Sequence, residues 1–186
     1  MHKLNLGSGN NKIKYFINID ISSNFLPDII ADIERGLPFK DDSFDEVFAN
    51  HVIEHLSDTI FAMNEIYRVC KNGARIIIEV PYQCSDMAFA DPTHKKIFNK
   101  ESFKYFCSNC EHYWIHTSYG IKSDFSLVMQ EFSYHTRYGY LKVELIANKP
   151  PRKEIEQHLS KSKTSLSIRK RNSAIILVYI TNMKTL

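Results

Sequence analysis

Two glycines one residue apart, Gly7 and Gly9, follow directly on the apolar segment Lys3–Leu6. Without a Cβ they allow a sharp turn and let a ligand approach the backbone. An acid, Asp20, ends the next apolar segment, where it can accept hydrogen bonds from both hydroxyls of a ribose. Asp32-Ile33 ends a third segment, and an acceptor there suits an adenine amino group; Asn50-His51 follows a fourth. In open α/β sheets ligands bind beyond the carboxyl ends of the strands, so these ends describe one edge. Farther on, Asp91-Pro92-Thr93-His94 supplies an imidazole, whose pKa near 6.5 makes it a natural proton acceptor. His51 and His55 are alternative general bases, while Glu54 reads as part of a helix-start hydrogen-bond network. Cys107-Ser108-Asn109-Cys110, with His112 and His116, offers zinc-type ligands. Cys110 and His112 are only two positions apart and no second Cys-x-x-Cys follows, so aromatic packing around Tyr105, Phe106, Tyr113 and Trp114 is expected and no metal ligand is assigned.

The elements that must position these residues are legible in outline. Strands are expected at Lys3–Leu6, Phe16–Ile21, Ile29–Ile33, Phe44–Ala49 and Arg75–Val80, the last apolar enough to be buried on both faces. A helix is expected from about Asp58 to Cys70, capped by Ser57 or Asp58 and ended by Asn72-Gly73. Phe125–Tyr134 and Leu141–Ala147 read as strands, the second also compatible with a helix, and Ala174–Thr181 as a final strand. Cys84–Tyr119 reads as a lid insertion with one helix near Lys100–Phe106. Strands alternating with helices predict an α/β sheet.

The ordered blocks LNLGSG (4–9), NIDI (18–21), IADIERGLPFKDDSFDEVFANHVIEHL (30–56) and EIYRVCKNGARIIIEVP (65–81) resemble the class I S-adenosylmethionine-dependent methyltransferases, specifically the small type-11-like branch. The resemblance implies a Rossmann-like seven-stranded, mainly parallel sheet whose last strand, here Ala174–Thr181, is antiparallel. It implies S-adenosylmethionine as cofactor: Gly7 and Gly9 at the methionine part, Asp20 at the ribose, Asp32 and Ile33 at the adenine, Asn50 and His51 near the sulfonium, and Leu6, Ser8, Asn10 and Ile21 as further cofactor-binding residues. His94, or else His51 or His55, would assist the acceptor. The sequence departs from the pattern at three points. Gly9 and Asp20 are eleven positions apart, against a usual spacing of about 20, so the intervening helix must be a turn or absent. Ser8 and Asn10 stand where relatives carry other small residues or a third glycine, and Asn72-Gly73-Ala74 replaces a Pro-Gly-Gly turn. The Asp-Pro-Thr-His element is similar to methyltransferases associated with surface-polysaccharide biosynthesis, which implies a small-molecule or carbohydrate acceptor.

Composition bounds these readings. The 186 residues, 44% hydrophobic and 24% charged, suit a single domain over residues 1–186 and exclude a disordered or collagen-like chain. The net charge of +3 divides into −4 over residues 1–148, +6 over residues 149–171 and +1 from Lys184, so an RNA or protein acceptor contacting the basic loop is a second reading, with nucleic acid not favoured. A non-catalytic adenosyl-ligand-binding module is a third. No apolar run is long enough to span a bilayer, a cytoplasmic protein is expected, and the 4 cysteines are expected as thiols. The oligomeric state is left open.

Overall fold

Short apolar runs separated by turn residues pair into one sheet. Its strands are β1 (Lys3–Leu6), β2 (Ile17–Asp20), β3 (Ile29–Ile30), β4 (Phe44–Asn50), β5 (Cys70–Pro81), β6 (Phe125–Phe132) and β7 (Tyr140–Ala147). The structure is a computed structural model that describes residues 1–150, apart from the side chains of residues 115–117. Met1–Lys149 form one compact unit. The strand order is β3-β2-β1-β4-β5-β7-β6. β1 to β5 pair in parallel, and β7 runs antiparallel between β5 and β6. This is the expected α/β sheet with one correction: the antiparallel strand is Tyr140–Ala147. The segment expected for it, Ala174–Thr181, lies outside the described residues, as does the basic loop beyond Pro150.

Two helices are present among the described residues, α1 (Thr59–Val69) and the short α2 (Met87–Ala90). Asp58 caps α1, its Oδ1 accepting the Phe61 N–H at 2.8 Å. Its buried stripe of Ala62, Met63, Ile66 and Val69 covers one sheet face. The large members each contribute about 1.5–3 kcal/mol by burial. Asn72-Gly73 does not end the helix as expected. The chain passes straight from Val69 into β5, whose first residue Cys70 pairs with Phe44. The helix expected near Lys100–Phe106 is a single 3-10 turn, Lys104–Phe106. There the Asn99 and Ser102 side chains bond the local backbone and compete with helix formation. β3 is only two residues long because the Asp32 carboxylate accepts the Glu34 N–H and starts a 3-10 turn.

The expectation of a doubly buried β5 is also corrected. Leu4, Val47, Ala49, Ile76, Ile78, Val143 and Leu145 point into the core on one face. The other face carries cross-strand charges: Lys3–Glu46 at 2.7 Å, Arg75–Glu46 at 3.7 Å and a two-point Arg75–Glu144 pair at 2.6 and 2.7 Å. No helix among the described residues connects β1 to β2. That loop is ordered instead by Asn18, whose Oδ1 accepts from Asn5 Nδ2 at 2.9 Å and from the Ile13 N–H at 2.8 Å. Asp28 receives the Asn18 N–H at 2.7 Å, and these bonds hold its carboxyl below the usual range. No helix of the described residues is long and apolar enough to cross a membrane.

Candidate active site

The parallel strands β1 to β4 bring Gly7, Asp20, Asp32 and His51 to one edge of the sheet. The turn after β1 lies against β2, with the Ser8 N–H donating to the Ile19 carbonyl at 2.9 Å. Gly7 has φ +62° and Gly9 φ +47°. A Cβ built on Gly7 would lie 2.4 Å from Val52 Cγ2, whereas one on Gly9 meets nothing within 4 Å. Gly7 is therefore required by packing, and Gly9 leaves open space. Asp20 Oδ2 accepts the Gly9 N–H and Oδ1 accepts the Ser22 N–H, each at 2.8 Å. A carboxylate has about four acceptor positions, so capacity remains for a ligand.

Two clefts flank this turn. The larger, about 430 Å³, is lined by Leu6, Gly7, Gly9, Asp20, Ile21, Asp32, Ile33 and His51, all expected at the site. The smaller, about 220 Å³, is lined by Asn5, Gly7, Ser8, Gly9, Asn11, Phe48, Asn50 and His51. Asn50 and Ser8 thus belong to the smaller cleft, while Asn10 lines neither. Sequence reasoning missed Phe25, Ala31, Glu34, Val52, Leu56 and Lys95 in the larger cleft. Only the apolar character of Phe25 and Leu56 hinted at a wall.

His51 borders both clefts with φ +54°, an uncommon backbone conformation for a residue with a side chain. Its N–H donates to the Glu79 carbonyl at 2.9 Å. Its Nδ1 lies 3.1 Å from Glu54 Oε1, and this contact outweighs partial burial to raise the imidazole pKa. His55 lines the larger cleft, and its ring meets that of His94 with centroids 4.8 Å apart. The His94 side chain is 7% exposed and lines neither cleft, so the imidazole that reading placed first for catalysis stands behind His55. The Cys84–Tyr119 insertion is tied down at this point: the Lys95 and Lys96 N–H groups both donate to the Glu54 carbonyl, at 2.8 and 3.1 Å. Cys107 and Cys110 join no three-residue ligand cluster among the described residues; His112 stacks on Tyr105 and faces Glu101 at 3.3 Å.

Sheet order and the position of the cleft at the strand ends are those of the class I S-adenosylmethionine-dependent methyltransferase fold. Residues 5–78 match the family model described as "Methyltransferase domain". The chain is 48% identical over 42 residues to a demethylmenaquinone methyltransferase of Streptomyces avermitilis, a stretch covering 23% of this chain and 18% of that one. It is 35% identical over 109 residues to an uncharacterized protein of Methanocaldococcus jannaschii, covering 50% of this chain and 48% of that one. It thus spans less than half the length of either relative. A methyltransferase structure from Archaeoglobus fulgidus superposes with a TM-score of 0.57 at 19% identity, over 80% of this chain and 86% of that one, which speaks for the fold.

S-adenosylmethionine is the cofactor of this class, and the residues present fit it. Asp20 has acceptor capacity toward vicinal hydroxyls, and Ile21 and Phe25 give an apolar wall for a base. Ser8 Oγ is buried without a partner at the smaller cleft, beside the open space at Gly9.

Proposed function

We propose that this protein transfers a methyl group from S-adenosylmethionine to an oxygen or nitrogen of a small-molecule or carbohydrate-type acceptor. The cofactor supplies an activated methyl: the acceptor lone pair forms the new bond to carbon while the S–C bond breaks and its electron pair returns to sulfur. The chain's task is then to align two reactants, exclude water and take up the acceptor proton. Asp20 and the glycine turn hold the nucleoside, and Asp32 and Ile33 close its far end. His51 is the proton acceptor. The observation that carries this reading is that His51 faces both clefts, so one imidazole borders the cofactor and the space beside it.

The test is transfer of an isotopically labelled methyl group in a screen of hydroxyl- and amine-bearing small molecules and carbohydrates. Label should appear in at least one acceptor class, and His51→Ala should lower turnover by about 10²-fold or more. Cofactor binding without transfer to any acceptor would instead support a non-catalytic binding module.

A further inference from the structure

Glu54 sits in the 3-10 turn Ile53–His55 and is 1% exposed. Its Oε1 faces His51, but its Oε2 is buried with no hydrogen-bond partner. An unpaired carboxylate oxygen in a protein interior is costly, and buried charges are paired or coordinate a metal. Glu54, His55 and His94 each offer one ligand atom, and the three atoms lie within 4.8 Å of one another. Metal bonds of about 2.1 Å place ligand atoms roughly 3–3.5 Å apart, so small side-chain rotations would close the set onto an ion.

The hydrogen bonds fix which ring nitrogens are available. Thr93 Oγ1 donates its single proton to Asp91 Oδ1 at 2.6 Å, because a carboxylate only accepts. Its oxygen must then accept from His55 Nδ1 at 2.9 Å, so that nitrogen carries the proton. His94 Nδ1 lies 3.3 Å from the Ala88 carbonyl, which also only accepts. In the neutral form of each ring, the form that binds a metal, the lone pair is therefore on Nε2. Imidazoles that bind metals are oriented in this way, by a carbonyl or a hydroxyl–carboxylate pair on the opposite nitrogen. His94 Nε2 also lies 3.8 Å from Asp91 Oδ2, a carboxylate oxygen near enough to be a fourth ligand atom.

We propose that Glu54, His55 and His94 bind one divalent first-row transition-metal ion behind the wall of the larger cleft, which His55 alone of the three lines, so that His55 is the side from which an acceptor oxygen would reach a remaining coordination position. Two imidazole nitrogens and one carboxylate oxygen form the donor set of open Zn²⁺ and Fe²⁺ sites. An ion there lowers the pKa of a coordinated hydroxyl, the property an oxygen acceptor needs. The acceptor half of this proposal rests on the methyltransferase reading; the metal half does not.

The experiment titrates Co²⁺ into chelator-treated full-length protein and follows visible absorbance, with Zn²⁺ competition. One equivalent of Co²⁺ should bind and be displaced by Zn²⁺. Glu54→Gln and His94→Ala should each weaken binding by about 100-fold or more, and the exposed Thr93→Val by about 10- to 100-fold through loss of ring orientation. S-adenosylhomocysteine affinity of the metal-free protein is measured alongside and should persist in Thr93→Val, which also verifies its fold. No stoichiometric Co²⁺ binding, or binding unchanged in Thr93→Val and His94→Ala, overturns the metal site and leaves the methyltransferase reading standing. Loss of S-adenosylhomocysteine binding by the wild type would overturn the latter alone.

Discussion

The carboxylate of Asp20, at the end of β2, accepts the N–H of Gly9 at 2.8 Å and so ties the second strand to the turn after the first. One side chain both shapes the glycine turn and faces the cleft. Asp20→Ala should therefore cost stability as well as binding, because two part-buried N–H groups, of Gly9 and Ser22, lose their acceptor. A loss of about 1–3 kcal/mol is expected in urea unfolding, and Asp20→Asn should recover part of it. An unchanged midpoint for Asp20→Ala would refute this structural role.

The two glycines should respond differently to alanine. At Gly7 the new Cβ meets Val52 in addition to the left-handed strain, whereas at Gly9 only the strain applies. Left-handed backbone costs about 1–2 kcal/mol, so Gly9→Ala should lose about that much and Gly7→Ala more. Val52→Ala should recover part of the Gly7→Ala deficit in a double-mutant cycle. Equal losses at both positions would contradict the packing argument.

Glu65 gives a pH-dependent test away from the site. Its carboxylate holds Arg68 at 2.7 Å through both oxygens and accepts the Leu37 N–H at 2.8 Å, so its pKa is lowered, chiefly by Arg68. A carboxyl depressed on folding contributes stability above its ordinary range, and that contribution disappears as pH falls through the depressed value. Glu65→Gln should thus be less stable than wild type at pH 7, and the gap should narrow steadily below about pH 4.5. A gap independent of pH would show that the charge plays no part.

The thiols should divide by burial. Burial pushes Cys70 up to about 12 and raises Cys107 further, while Cys84 is exposed. Ellman's reagent should modify Cys84 fast and Cys110 more slowly in native protein. Cys70 and Cys107 should react only on unfolding, because the thiolate is the nucleophile. Rapid reaction of all four would contradict the burial of Cys70 and Cys107.

Strands flanked by glycine or proline punctuation were readable because apolar runs and turn residues agree there. The strand ends Leu6 and Asp20 stand where expected, and β4 runs one residue beyond the expected Ala49, to Asn50. The sequence was misleading where side chains overrode local pattern. Asp32 caps a turn and shortens β3; Asn99 and Ser102 replace a helix with turns; the apolar look of residues 76–80 hid the charged row of Glu46, Arg75 and Glu144 on the second face. The cluster of Glu54, His55, Thr93 and His94 joins two segments that only tertiary contact unites, through the Glu54 carbonyl. Each half was visible as a motif, but periodicity and spacing carry no information about their meeting.

The most direct measurement is calorimetric titration of S-adenosylhomocysteine into the wild-type protein and Asp20→Ala. One site per chain is expected, with affinity at least 10-fold weaker in the variant, about 1.4 kcal/mol or more. Absence of binding to the wild type, or equal affinity in both proteins, would contradict the assignment of this cleft to the cofactor.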